Sequence, residues 1–238
     1  MKNNPVLFRF RNNPTQNVFA PTWNYQIYED ILTQINFKTL TQFILEKEKE
    51  IINKKNVTIS GDGYTGLGTR ALTSHYNQYN LLDWDHSEIP LLQQAILKTH
   101  SDFLHELGIP LYPELYIQCW ANVMREGEQI KPHLHSVHEN SYLGGHIVVQ
   151  AQKTHTHYIN PVNQINGPDI HSSSNIVGKI SLFPSCVPHY TDMQKSGEPR
   201  ITIAFDLFVN RSVVKPNYRK IRGDTGEEKE KGKKKGHK

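Results

Sequence analysis

The chain has two cysteines, Cys119 and Cys186, in 238 residues. That excludes both a disulfide framework and a four-thiolate zinc site, and it fits a reducing compartment. No run approaches the roughly 18–20 apolar residues that a membrane-spanning helix needs. The opening Met1–Pro5 and the Val6-Leu7-Phe8-Arg9-Phe10 that follows are too short and too interrupted for a signal-peptide core. The sequence therefore predicts a soluble cytoplasmic protein with no membrane partner. The one glycine-rich stretch, Gly61-Asp62-Gly63-Tyr64-Thr65-Gly66, follows a strand-like Val57–Ser60 and fits Gly-x-Gly-x-x-Gly, with Asp83 and Asp85 further on. Leu67–Asn80 nevertheless lacks helical periodicity, so no helix N-terminus is available for a pyrophosphate. No Gly-Lys-Ser/Thr follows either, which excludes a P-loop. A mobile loop, placed as a lid over a site, is the expectation.

What the chain does have is 37% hydrophobic residues, 20 Phe and Tyr with three Trp, and thirteen histidines, eight of them between His133 and His189. This is enough apolar surface for a single folded domain and excludes wholesale disorder. The net charge of +4 is unevenly spread: residues 211–238 hold eleven Lys and Arg against four Asp and Glu, while the body is mildly acidic. Almost no apolar residue follows Ile221, so 211–238 reads as a basic disordered tail. Such a tail is most simply a solvated segment, with nucleic acid the partner its charge would select.

Two segments have a helical period. In Phe37–Ile52, Phe37, Leu40, Ile44, Ile51 and Ile52 share one face. A second run opens at Ser87-Glu88-Ile89-Pro90, with Ser87 as N-cap, and stops at Gly108 and Pro110. From Leu115 the pattern changes to short strands, with candidates at 115–124, 146–151, 155–159, 179–183 and 200–209. Strands at this spacing with no helices between them indicate antiparallel sheets folded into a sandwich or barrel. Residues 1–114 are then a helical and loop support, 115–210 a β core, and 211–238 the tail.

Two patterns carry chemistry. In His133-Leu134-His135, strand alternation puts both imidazoles on one face about 6–7 Å apart, where they can converge on Fe, Zn, Cu or Ni. Later, Phe183-Pro184-Ser185 leads to His189, and eleven residues on Arg200 opens a strand in which Arg200, Thr202 and Ala204 share one face. A guanidinium inside a β-sandwich is expensive to bury unless an anion meets it. Its fork matches a carboxylate, and Thr202 can add a donor.

The ordered set Trp120-Ala121-Asn122, Gly127, His133-Leu134-His135, Leu143-Gly144-Gly145, Phe183-Pro184-Ser185 with His189, and Arg200-Ile201-Thr202 resembles the Fe(II)- and 2-oxoglutarate-dependent dioxygenases. The resemblance is greatest to their small bacterial and bacteriophage members, and it covers about residues 115–210. It implies a mainly β chain with supporting helices around a distorted double-stranded β-helix, the cupin-like jelly roll. It also implies Fe(II), with 2-oxoglutarate and O2 as co-substrates, and host cytoplasm if the chain is phage-encoded.

Residue by residue, the resemblance makes His133 the first metal ligand and His189 the distal one. His135 stands where most of the wider superfamily carries Asp or Glu. The third ligand is therefore His135, His138, a carboxylate (Glu139, Asp169 or Asp192) or water. Arg200 would pair with the distal carboxylate of 2-oxoglutarate, assisted by Thr202, and Asn122 could bond the co-substrate. His146 and Tyr158 are candidate pocket residues, and Trp120 is expected in the core. The implied reaction couples decarboxylation of 2-oxoglutarate, to succinate and CO2, with oxidation of a prime substrate: peptidyl proline, another protein side chain or a small molecule. A non-catalytic metal-binding cupin-like module is the competing reading. It accounts for the histidines but not for Arg200 and Thr202.

Overall fold

The computed structural model describes residues 4–11, 15–54, 59, 61–162, 167, 169–213 and 215–223. Among these the chain runs β1 (Val6–Arg11), β2 (Asn24–Ile31), α1 (Phe37–Ile52), α2 (Glu88–Glu106), β3 (Leu115–Met124), β4 (Leu143–Gln150), β5 (His155–Ile159), β6 (Ile170–Ser174), β7 (Lys179–Pro184), β8 (His189–Thr191), β9 (Arg200–Phe208) and β10 (Arg219–Arg222). No helix of the described residues is long and apolar enough to cross a membrane.

The strands form an antiparallel major sheet in the order β1-β2-β7-β4-β9-β3-β10 and a minor sheet in the order β6-β5-β8. Alternation decides what each face of the major sheet meets. On β3 and β9, Ile117, Cys119, Ala121, Val123, Ile201, Ile203, Phe205 and Leu207 turn outward and bury themselves among the apolar stripes of the two helices. Trp120, Asn122, Arg200, Thr202 and Ala204 turn inward, towards the minor sheet, and line a cavity. All ten residues of β3 are buried because both of its faces are covered. This is the expected jelly roll, mainly β with its helices on one side.

The helix periods appear where the sequence places them. Asn36 caps α1 by accepting from the Thr39 amide at 3.3 Å. Gly108 ends α2 in the left-handed region (φ +67°), with its amide on the His105 carbonyl and that of Ile109 on Leu104. Ser87 departs from expectation, because its side chain makes no capping bond. Instead the Glu88 amide donates to Nδ1 of His86 at 3.2 Å.

Two boundaries are corrected. Residues 1–114 are more than helical support: β1 and β2 extend the major sheet, with β2 paired to β7 from Tyr28–Leu182 to Ile31–Lys179. At the other end the fold continues past residue 210. Strand β10 pairs with β3, Ile221 is buried, Arg219 meets Asp83 at 3.2 Å and Lys220 meets Glu114 at 2.5 Å. These cations balance acids of the folded body. The remainder of the basic tail, 224–238, and the strand-like Val57–Ser60, apart from Ile59, lie outside the described residues.

Candidate metal and co-substrate site

His133 and His189 are brought together by backbone pairing. The segment before His135 runs antiparallel to β8, and the two histidines exchange both amide bonds, at 3.1 and 2.9 Å, so their rings project side by side with centroids 4.3 Å apart. One step on, the His135 amide donates to the Ser185 carbonyl at 3.0 Å, and its ring lies 5.1 Å from that of His189. One ligand atom from each of the three rings lies within 4.8 Å of the others; among the described residues this is the group able to hold a metal ion.

The ring nitrogens are set for that task. Nδ1 of His133 meets the Lys131 carbonyl at 2.9 Å, Nδ1 of His189 meets the Val187 carbonyl at 3.1 Å, and Nδ1 of His135 meets the Asp206 carboxylate. Carbonyls and carboxylates only accept, so each Nδ1 carries a proton, and in the neutral ring each Nε2 presents a lone pair. Burial, with the neighbouring His135, lowers the pKa of His133 to about 4. Burial and the two companion rings push that of His189 far below the usual range. Both are therefore neutral, as ligation requires. His135 differs: burial would lower its pKa, but the charge and hydrogen bond of Asp206 outweigh burial and raise it.

Arg200 stands further along the same inner face of β9. It is 2% exposed, its Nη2 donates to the Thr156 hydroxyl at 3.2 Å, and neither Nε nor Nη1 has a partner. Burial, offset in part by Tyr158 and Asp192, pulls its pKa down to about 10, so the group stays charged near neutrality. A buried cation with two idle donors facing a cavity is a seat for an anion. Thr202 and Asn122 lie beside it on the cavity wall. Asn122 accepts from Thr73 at 2.6 Å and donates to Thr202 at 3.4 Å, tying β3 to the 3-10 turn Leu72–His75. His146 also lines the cavity; burial first, then the charges of Arg200 and Lys179, lower its pKa to about 3.

Other expectations are corrected. His138 is exposed and accepts the Asn140 amide in a turn, away from the cavity. Tyr158 is fully buried in a small core with Phe10, Ile27, Phe183 and Val187, not among the cavity residues. Trp120 is buried, as expected, and also lines the cavity. Glu139 and Asp169 are exposed, and Asp192 is engaged by His155 and His157 on the outward face of β5. No carboxylate among the described residues joins the three rings. The glycine-rich loop does reach the site, with Gly63, Tyr64 and Thr65 on the cavity wall. Sequence reasoning missed Thr156 and Asp206. Both were recoverable from alternation: Thr156 lies between the outward His155 and His157 of β5, and Asp206 continues the row Arg200, Thr202, Ala204.

A double-stranded β-helix whose cavity joins three converging imidazoles to a buried, half-idle guanidinium has the architecture of a non-haem metal oxygenase. Comparison with known proteins agrees. Residues 118–206 match the model of the family described as "Putative 2OG-Fe(II) oxygenase". That segment is an oxygenase domain of this family, an enzyme unit that works with Fe(II), 2-oxoglutarate and O2. The match favours an enzyme over the competing reading of a non-catalytic module. Among solved structures, AviO1 from Streptomyces viridochromogenes Tue57 is 9% identical with a TM-score of 0.53, over 79% of this chain and 91% of that one. The alpha ketoglutarate-dependent carbocyclase SnoK from nogalamycin biosynthesis is 10% identical, with a TM-score of 0.49 over 76% and 79%. A prolyl hydroxylase from Trichoplax adhaerens, solved with a hypoxia inducible factor peptide fragment, is 13% identical, with a TM-score of 0.46 over 76% and 83%. No curated protein matches by sequence.

Proposed function

We propose that His133, His135 and His189 hold the Fe(II) of this oxygenase and that Arg200 takes the distal carboxylate of 2-oxoglutarate, with a protein side chain or small molecule hydroxylated at the cavity mouth. The observation that carries this reading is the buried Arg200, with Nε and Nη1 unpartnered, in the same cavity as the three rings. Iron with its keto acid supplies the oxidising chemistry when bound. The chain's own residues do the rest. The Nε2 atoms of the three rings would hold the metal, and the guanidinium fork would set the direction in which the keto acid points. Thr202 and Thr156 offer hydroxyls beside the fork, and Asn122 braces Thr202.

The cavity has a volume of about 910 Å³. Small-molecule sites span roughly 300–1,000 Å³, so a five-carbon keto acid leaves space unfilled. The exposed apolar side chains of Tyr64, Leu134 and Val137 stand on the cavity wall, suiting a hydrocarbon group such as the ring of peptidyl proline.

Release of CO2 from carboxyl-labelled 2-oxoglutarate, with Fe(II), ascorbate and O2, tests the reading. We expect slow turnover without prime substrate and none in H133A or H189A. Equal turnover in those variants would refute the assignment of the ligands.

A further inference from the structure

The three-histidine set proposed above contains no anionic group, and a divalent cation held by neutral imidazoles alone keeps its full charge. Beside it, Asp206 stands on the inward face of β9, opposite Gly144 of β4 in the sheet register. Its Oδ1 accepts the hydrogen bond from Nδ1 of His135, and the two side chains are only 22% and 8% exposed. His133 and His189 have neutral carbonyls in the equivalent place. The carboxylate therefore serves one ring of the three, the one at the position where a carboxylate is otherwise expected. Gly144 completes the arrangement: a Cβ there would fall 2.8 Å from Nδ1 of His135, so only glycine leaves room for the ring to reach Asp206.

We propose that Asp206 is the positioning residue of the metal site, fixing the ring of His135 and lending it the negative charge that the three-histidine set lacks. A carboxylate behind a ligating imidazole holds the tautomer, orients the ring and raises the basicity of the lone pair on its far side. The missing acid is thus moved one residue back from the metal. It acts through the imidazole, which would take the coordination position that the acid fills elsewhere. This inference rests on the proposed ligand set.

Anaerobic titration of the full chain with Co(II), in place of Fe(II), tests it through affinity and the visible ligand-field spectrum. Losing such a partner typically weakens metal binding 10- to 100-fold, and we expect D206A to fall in that range. In D206N the amide oxygen still accepts from Nδ1, so the ring stays in place while the charge is lost. It should bind more tightly than D206A, with ligand-field bands displaced from those of the native chain. The double variant H135A/D206A should bind no more weakly than H135A, because Asp206 has nothing left to act through. Native affinity in D206A, native bands in D206N, or losses that multiply in the double variant would each overturn the proposal. If the native chain takes up no Co(II), the ligand set itself fails; if it binds and only the Asp206 variants behave as native, the ligand set stands and this inference alone falls.

Discussion

Gly144 lies beneath His135, and the missing side chain of one is the space occupied by the other. A Cβ on Gly144 would stand 2.8 Å from Nδ1 and 3.3 Å from Cε1 of the imidazole. The adjacent Gly145 serves a different neighbour: its Cβ would meet the Phe205 ring at 2.4 Å and the Ser181 carbonyl at 2.7 Å. The Leu-Gly-Gly motif thus admits a site residue on one face of β4 and a core ring on the other.

The two glycines should therefore fail differently. G144A should weaken metal binding at least tenfold while the fold tolerates the change, because the imidazole can swing away. G145A meets backbone and should lower stability by about 1–3 kcal/mol, with less effect on metal affinity once folded. Denaturant unfolding and Co(II) titration of both variants separate the outcomes.

Arg200 should destabilise the ligand-free chain and stabilise the liganded one. Replacing a buried charge lacking full compensation by an apolar side chain of similar length is often neutral or stabilising. R200M should keep or raise the melting temperature without 2-oxoglutarate. It should also lose the rise that 2-oxoglutarate confers, with affinity for the co-substrate down about 100-fold or more, the scale of a lost charge-assisted pair. Thermal melts with and without 2-oxoglutarate read both effects.

Acid should begin to destabilise the metal-free chain above the pH at which its carboxylates titrate. Burial, with Arg222 nearby, lowers the pKa of His100 to about 4; His133 sits at about 4, His146 at about 3, and His189 lower than usual. An unfolded chain protonates its histidines below about 6.5, so it takes up protons that the folded chain refuses. Stability is complete above that pH and falls as pH drops towards 4. His135 runs the other way, since its raised pKa makes a contribution that fades as pH rises, but it is one group against these four and His171, whose pKa burial also lowers. Denaturant midpoints should fall across this interval, and H100Q should flatten the slope with metal binding unchanged.

Tyr64 is the non-glycine residue with positive φ among those described, at 63°, and it is 90% exposed on the cavity wall. The left-handed conformation disfavours a side chain by about 1 kcal/mol or more. Y64G should therefore leave stability level or raise it by up to about 1 kcal/mol, with metal and 2-oxoglutarate affinity unaffected. A loss of prime-substrate turnover alone would locate the substrate at this loop.

Much of this was legible in the sequence because periodicity reports burial directly. Phe37–Ile52 appears with the same ends, and Leu115–Met124 and His155–Ile159 likewise. Strands β1 and β2 were not, because β2 pairs with β7 far along the chain and nothing local in Asn24–Ile31 announces that partner. The end of the fold was misplaced because Arg219, Lys220 and Arg222 look like a solvated run until Asp83, Glu114 and Ser101 are seen opposite them. His138 illustrates the limit of spacing: two steps past a strand-like register the chain turns, and the ring points elsewhere. Asp206 was in reach, since the alternation that aligned Arg200 with Thr202 continues to it.

Anaerobic addition of 2-oxoglutarate to the Fe(II)-loaded chain, followed by visible absorption, tests the central claim most directly. A weak charge-transfer band should grow to one equivalent and require both components. It should be absent in H189A and appear only at far higher 2-oxoglutarate concentration in R200M. A native chain without the band, or a band that survives unchanged in H189A, would contradict the account.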